Sequence, residues 1–313
     1  LSREEFLSHI WEWKNENGNK ILEQLKRLGL SCSWNDIKFT LDENLSASVN
    51  EAFIRLFDKG LIYREKTLVN WDTNLQTAIS DLEVVAENRR TKLYYFKYFL
   101  EDGKNFIVVS TTRPETVFGD VAVAVNPQDK KNKKHVGKKI LSPFNKMELL
   151  VIEDEYADME KGSGAVKITP GHDFNDYKVA KNHDLQLINI LNDNGTLNDT
   201  VPLDFRGLSV QDAREKVLNL MKELNLHVDE EDIQHAIPIG DRSGAIIEPL
   251  LKNQWFLDVK EMASKSIQAV KKGDITFKPK FWENTFFEWM EKIQPWCISR
   301  QLWWGHRIPA WYS

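Results

Sequence analysis

The sequence predicts an α/β chain of the α+β kind, in which a strand-rich domain with a few short helices interrupts a helical host. Three observations predict it. Apolar residues recur at helical spacing through the first sixty residues and at strand spacing from about residue 84, and helical spacing returns beyond about residue 258. Two turn dipeptides, Asp102-Gly103 and Asn194-Gly195, fall inside the middle stretch. That stretch has the length of an ordinary domain. The expected division is 1–83 as a helical root, 84–232 as the inserted domain, and 233–313 as the segment returning to the host.

The elements follow in order. Ser2 and Glu5 have capping-box spacing, and Phe6, Ile10 and Trp13 continue a first helix. A second carries Ile21, Leu22, Leu25 and Leu28 and stops at Gly29. A third is expected from Thr40, with Glu43 three residues on, to Gly60. Strands are expected at Lys92 to Leu100, Phe106 to Thr111, Val121 to Val125, Leu149 to Ile152, Ala165 to Thr169 and Gln186 to Leu191. Helices should start near Asp173 and at Ser209. After residue 233 come short strands, a Lys-rich helix near 258–272 and an aromatic helix around Phe281 to Ile293.

With 42% hydrophobic and 28% charged residues, the chain can bury a core. No apolar run approaches the roughly 20 residues that cross a bilayer. The charged opening Leu1-Ser2-Arg3-Glu4 is not a secretion signal, and the missing initiator Met reads as a cut terminus. Two cysteines, Cys32 and Cys297, are too few for a disulfide framework or a thiolate zinc site. They fit a reducing, cytoplasmic setting. The net charge of -5 makes no global case for nucleic acid. Charge is uneven, however: Lys130, Lys131, Lys133, Lys134, His135, Lys138 and Lys139 cluster, as do Arg89, Arg90 and Lys92. A solvated loop is the ordinary reading of such a run, and a phosphate contact the alternative. Trp296, Trp303, Trp304 and Trp311 crowd the C-terminal end, which should therefore be packed and not a free tail.

Three motifs invite chemistry. Gly162-Ser163-Gly164-Ala165-Val166-Lys167 lacks the third glycine of a dinucleotide fingerprint and leads into a strand, so nucleotide binding is rejected. In His172-Asp173-Phe174-Asn175-Asp176, Asp173 can simply cap a helix and Asp176 favour its dipole. A metal site from His172, Asp173, Asp176 and His183 is a second reading. A third is a site gripping an ammonium and a hydroxyl, with Lys167 and Thr169 beside the carboxylates. Ser110-Thr111-Thr112-Arg113-Pro114-Glu115-Thr116 is either a self-satisfied turn or a lip that binds a carbonyl or phosphate.

Together these segments resemble the valyl-tRNA synthetase family of class I aminoacyl-tRNA synthetases. The resemblance rests on Thr111 to Thr116 with Gly119-Asp120 and Ala122 to Val125, on Gly164 to Tyr177, and on Pro295 to Pro309. Leu68 to Trp71, Ser80 to Glu83, Asp241 to Gly244 and Glu248-Pro249 add weaker support. The isoleucyl relatives usually lack arginine where Arg113 stands, and the leucyl relatives lack the Lys-Ile-Thr-Pro run. Many relatives carry Cys-x-x-Cys where this chain has Asp72-Thr73-Asn74-Leu75, so it looks like a zinc-free variant. Ser163 and Gly171 stand where Thr and Ala are frequent.

The resemblance implies a β-barrel-like editing domain inserted between pieces of a Rossmann-type class I catalytic domain. It implies hydrolysis of threonyl-tRNA(Val), and of threonyl-adenylate as a second candidate. A valine pocket cannot strongly exclude threonine, and valyl enzymes are themselves the standing example of this limit. On this reading Asp173 binds the α-ammonium, Asp176 with Lys167 and Thr169 reads the side-chain hydroxyl, and Thr111, Thr112 and Arg113, flanked by Glu115, hold the terminal adenosine and ester carbonyl. His172 is either a general base or a structural residue. No metal is expected. The signatures His-Ile-Gly-His and Lys-Met-Ser-Lys-Ser are absent from the sequence, so ATP and Mg²⁺ would serve the full-length enzyme only. The expected partners are the tRNA(Val) acceptor end and the remainder of the synthetase, with no membrane, in a monomer. A non-catalytic tRNA-docking arm is the competing reading, and a metallohydrolase the third.

Overall fold

The computed structural model describes residues 1–144 and 147–312. The chain forms two compact units, Leu1–Arg64 with Trp255–Ser313, and Glu65–Gln254. The expected inserted segment, 84–232, lies inside the second.

The first unit begins as local chemistry dictates. Helix α1 (Arg3–Asn17) opens on a reciprocal capping box: Glu5 N donates to Ser2 Oγ at 3.2 Å, and Ser2 N to Glu5 Oε2 at 2.7 Å. Helix α2 (Lys20–Arg27) is followed by Gly29 at φ +79°. Helix α3 (Glu43–Asp58) starts later than expected from Thr40: Asp42 holds the cap position, and its carboxylate accepts from Phe39 N.

Strand β1 (Ile62–Asp72) carries the chain into the second unit and turns back into β2 (Thr77–Ala78). Asp72 Oδ1 closes the turn by accepting from Asn74 N and Leu75 N. A buried carboxylate thus stabilises the position where the resemblance places a zinc-binding cysteine pair in relatives.

A mixed sheet follows from β3 (Val84–Phe99), β4 (Phe106–Thr111), β5 (Ala122–Val125), β6 (Lys139–Leu141), β7 (Glu148–Glu153), β8 (Ala165–Ile168) and β9 (His227–Gly240), with helices α4 (Phe174–Asn182) and α5 (Val210–Glu223). Its order is β6-β7-β5-β8-β4-β3-β9. Leu100, just past β3, bridges Ile140, and Glu101 N donates to Lys139 O. The edge strand β6 therefore meets the end of β3, and the sheet curls into a half-barrel, giving the mixed α/β fold the sequence predicts. At its middle every residue of β5 is buried, as suits a strand covered on both faces. Ala122 and Ala124 pack with Ile152, Ala157, Ile168 and Val179, which seats α4 beside β8.

Two expectations give way. Strand β3 begins eight residues before its aromatic run, because Val84 to Leu93 pairs residue by residue with Gly240 to Glu231 of β9, itself long and not short. Gln186 to Leu191 forms no strand beyond a Leu191–Leu197 bridge. The backbone of this segment serves other partners: Ile190 N donates to His172 Nε2, and Asn198 N to Ile190 O.

Strand β10 (Ile247–Leu257) returns the chain to the first unit, followed by α6 (Lys260–Lys272), α7 (Trp282–Glu291) and β11 (Trp296–Cys297), which pairs with β10. Trp303 and Trp304 pack edge-on against Phe6 and Trp11 of α1. Trp296 and Trp311 stay 57% and 87% exposed, so the Trp-rich end is packed only in part.

Candidate functional site

Strand β8 carries Lys167 and ends at Ile168, with Thr169 just past it, and the segment after β4 forms a 3₁₀ turn, Pro114–Gly119, that is buried throughout. Proline at the first position suits that turn, since its missing N–H would be unpaired there anyway. Antiparallel pairing places Lys167 opposite Val123, one strand away from the turn. Lys167 Nζ donates to Thr116 Oγ1 at 2.8 Å, Asp120 Oδ1 at 2.8 Å and Thr169 Oγ1 at 2.5 Å. Asp120, fully buried, also accepts from Thr169 Oγ1 at 2.7 Å and, through Oδ2, from the Tyr98 hydroxyl at 2.7 Å. An ammonium has three protons, and Lys167 directs all three within the protein.

The carboxylate pair lies at the start of α4. Asp173 is the N-cap: its Oδ1 accepts from Asn175 N at 2.7 Å and Asp176 N at 3.0 Å. Its side chain is only partly buried. Asp176, one turn inward, is 5% exposed and accepts from Thr169 N at 2.8 Å. Burial first, then the neighbouring charge of Asp173, push the Asp176 carboxyl up to about 7. Gly171 permits the tight approach that precedes the helix, since a Cβ there would sit 1.9 Å from the Ile188 carbonyl oxygen.

A buried ionic network braces the same turn. Glu115, fully buried, accepts Arg214 Nε at 2.8 Å and Nη2 at 2.9 Å, and Arg113 Nε at 3.2 Å. Burial works against its charge, but the two guanidiniums outweigh it and hold the carboxyl below its ordinary range. Arg113 continues through Nη2 to Glu248 at 2.5 Å and through Nη1 to the His172 carbonyl at 3.1 Å. His172 Nε2 accepts from Ile190 N at 2.9 Å, so its proton sits on Nδ1. Burial, with Arg113 nearby, pulls this imidazole down to about 3. It is neutral, and its one lone pair is occupied.

The predicted residues therefore gather into one region but divide by exposure. Asp173, Thr111, Thr112 and Arg113 are partly exposed, whereas Asp176, Lys167, Thr169, Glu115 and His172 are buried. Thr111 Oγ1 accepts from Arg113 N at 3.0 Å and keeps its own hydroxyl proton to donate. The four residues weighed as metal ligands do not converge, since His183 pairs with Asp154 at 2.9 Å. Among the described residues no group of three or more His, Cys, Asp or Glu is arranged to hold a metal.

Sequence reasoning named Thr116 within the lip and Asp120 and Glu248 within the family motifs without giving them a role, and it missed Tyr98 and Arg214 as members of this region. An aspartate heading the apolar run of β5 was a readable signal for Asp120. Nothing in the alternation of β3 marks Tyr98.

The family model for tRNA synthetases class I (I, L, M and V) matches residues 1–313, and the chain belongs to that family. Within it the chain is similar to valine–tRNA ligases along its whole length. It is 51% identical to that of Pelagibacter ubique, with 100% of this chain and 36% of that protein aligned. It is 49% identical to that of Coxiella burnetii, over 99% of this chain and 34% of that protein, and 47% identical to that of Francisella tularensis, over 100% and 34%. The chain thus spans about a third of the length of the curated relatives it matches.

Proposed function

We propose that this chain is the editing module of a valine-type synthetase, and that it hydrolyses the threonyl ester of tRNA(Val). The carboxylate pair of α4 carries this reading. Asp173 offers a partly exposed carboxylate to an α-ammonium. Asp176 offers a buried one to a side-chain hydroxyl. A threonine hydroxyl could hydrogen-bond to Asp176, whereas a valine would set a methyl against this polar group, a difference of about 1–3 kcal/mol, which is how a site refuses a methyl in place of a hydroxyl.

Lys167 and Thr169, bonded to Asp120, form the floor that fixes Asp176 through the Thr169 amide. Thr111 and Thr112 hold the ester carbonyl, with Arg113 fastening the strand end to the His172 loop. A positioned water attacks the ester carbon, the bond to the ribose oxygen breaks, and that oxygen takes up the water's proton to become a hydroxyl. His172 serves as a brace, because its Nε2 lone pair is engaged. Threonyl-adenylate is a second candidate substrate. ATP-dependent aminoacylation, with Mg²⁺, is assigned to the remainder of the protein, in the cytoplasm. No helix among the described residues is long and apolar enough to cross a membrane.

The test is deacylation of threonyl-tRNA(Val) by the chain, with valyl-tRNA(Val) as control. Hydrolysis of the threonyl ester alone is expected. Binding of tRNA without turnover of either ester would favour a docking arm instead.

A further inference from the structure

Residues 130–139, which run from the loop after β5 to the first residue of β6, hold six lysines and no carboxylate, in a chain of net charge -5. All six are exposed. Two are answered nearby: Lys139 lies 2.7 Å from Glu148, and Lys133 lies 3.6 Å from Glu153. Among the described residues, Lys130, Lys131, Lys134 and Lys138 enter no ion pair. Like charges at such density repel, and a free loop would spread them apart.

This loop is held from beneath. Asp129 Oδ1 accepts from Lys131 N at 2.8 Å and Asn132 N at 3.3 Å, and Asp129 Oδ2 from Asn132 Nδ2 at 2.6 Å. Asn132 Nδ2 also reaches the Ser163 carbonyl at 3.3 Å, tying the loop to the turn before β8. Asp129, Asn132 and His135 are all buried. Burial, then the charges of Lys134 and Lys138, pull the His135 imidazole down, which places those two ammonium groups close to it. Asp102, near Lys138, is already held low by Asn105.

The loop also has a defined place relative to the candidate site. Val125 pairs with Ala165 at the loop end of β5 and β8, while Ala122 pairs with Ile168 at the end that leads to Asp120 and Thr169. At about 3.3 Å per residue, these two ends of β5 stand roughly 10 Å apart.

We propose that Lys130, Lys131, Lys134 and Lys138 form a contact for the phosphate backbone of RNA, engaging the tRNA body away from the ester read by α4. The proposal rests on the editing function proposed above. Spaced, exposed ammonium groups on a rigid base suit a polymer of repeated charge. A single anion would need convergent buried donors, which this loop lacks.

The experiment compares the chain with K130Q/K131Q/K134Q/K138Q and with the same four positions changed to arginine. Binding of tRNA(Val) is titrated against salt, and hydrolysis of threonyl-adenosine, which has no tRNA body, is measured in parallel. The Gln variant is expected to lower the slope of log K against log salt by about 3, at roughly 0.7–0.9 per phosphate contact. The Arg variant should keep the slope, and both should hydrolyse the small ester as the parent does. An unchanged slope in the Gln variant, or an equal loss in the Arg variant, overturns the proposal. If no protein hydrolyses threonyl-adenosine, the editing reading fails, and the slopes still decide whether the loop binds RNA.

Discussion

Three acceptors surround the Lys167 ammonium, and one of them, Asp120, is a fully buried carboxylate. Lys167→Met should therefore destabilise the chain by about 3–5 kcal/mol in urea titration, since it strands a buried charge. Adding Asp120→Asn to it should recover part of that loss; a simple sum of the two costs would mean that they do not interact. Asp176 makes a pH prediction. Its folded value, about 7, lies above the ordinary 3.8. The folded state then holds the proton more tightly than the unfolded one, so this group's contribution is complete below about pH 4 and is lost as pH rises towards 7. Asp176→Asn should remove that slope, worth at most about 4 kcal/mol at about 1.4 kcal/mol per pH unit. An undiminished slope in denaturation midpoints between pH 4 and 7 would place the titrating group elsewhere.

Helix α4 separates the two duties of Asp173, cap and carboxylate. An asparagine caps as well as an aspartate but carries no charge. Asp173→Asn should hold its melting temperature and lose threonyl-ester hydrolysis, whereas Asp173→Ala should lose hydrolysis and about 1 kcal/mol of stability as well. Full activity in the Asn variant would remove Asp173 from ammonium binding. The turn before the helix is equally exacting. A Cβ added at Gly171 would meet backbone, the Ile188 carbonyl, at 1.9 Å. Gly171→Ala should force the Ile188–Asn189 segment outward and loosen the His172–Ile190 hydrogen bond, read as faster amide exchange at Ile190.

The two units differ in what they bury. Glu65–Gln254 holds one of the eleven tryptophans, Trp71, which is 1% exposed and donates its Nε1 proton to Asp193 O at 2.8 Å. A fragment of residues 65–254 is expected to fold alone, with the blue-shifted emission of a buried indole and a single cooperative unfolding transition. Emission typical of solvated tryptophan would show that this unit needs the rest of the chain. Several aromatic residues of the other unit, including Trp282, Trp289 and Trp296, are at least half exposed.

The sequence by itself determined the local elements, because their chemistry is local. The Ser2–Glu5 capping box, the Asp173 and Ser209 caps and the Asp102-Gly103 turn each close within a few residues. It also brought Thr111, Arg113, Lys167, Asp173 and Asp176 forward as candidates, since polar groups crowded at the ends of apolar runs are visible as such. Tertiary structure alone decided the length of β3, set by a partner about 150 residues away, and the loss of the expected strand at Gln186 to Leu191 to partners in His172 and Asn198. It alone decided which candidates are reachable. Glu115 and Lys167 read as ligand-facing in sequence, yet Arg214 and Asp120 enclose them. Burial and long-range pairing depend on what the folded chain brings alongside a residue, and spacing along the sequence carries no record of that.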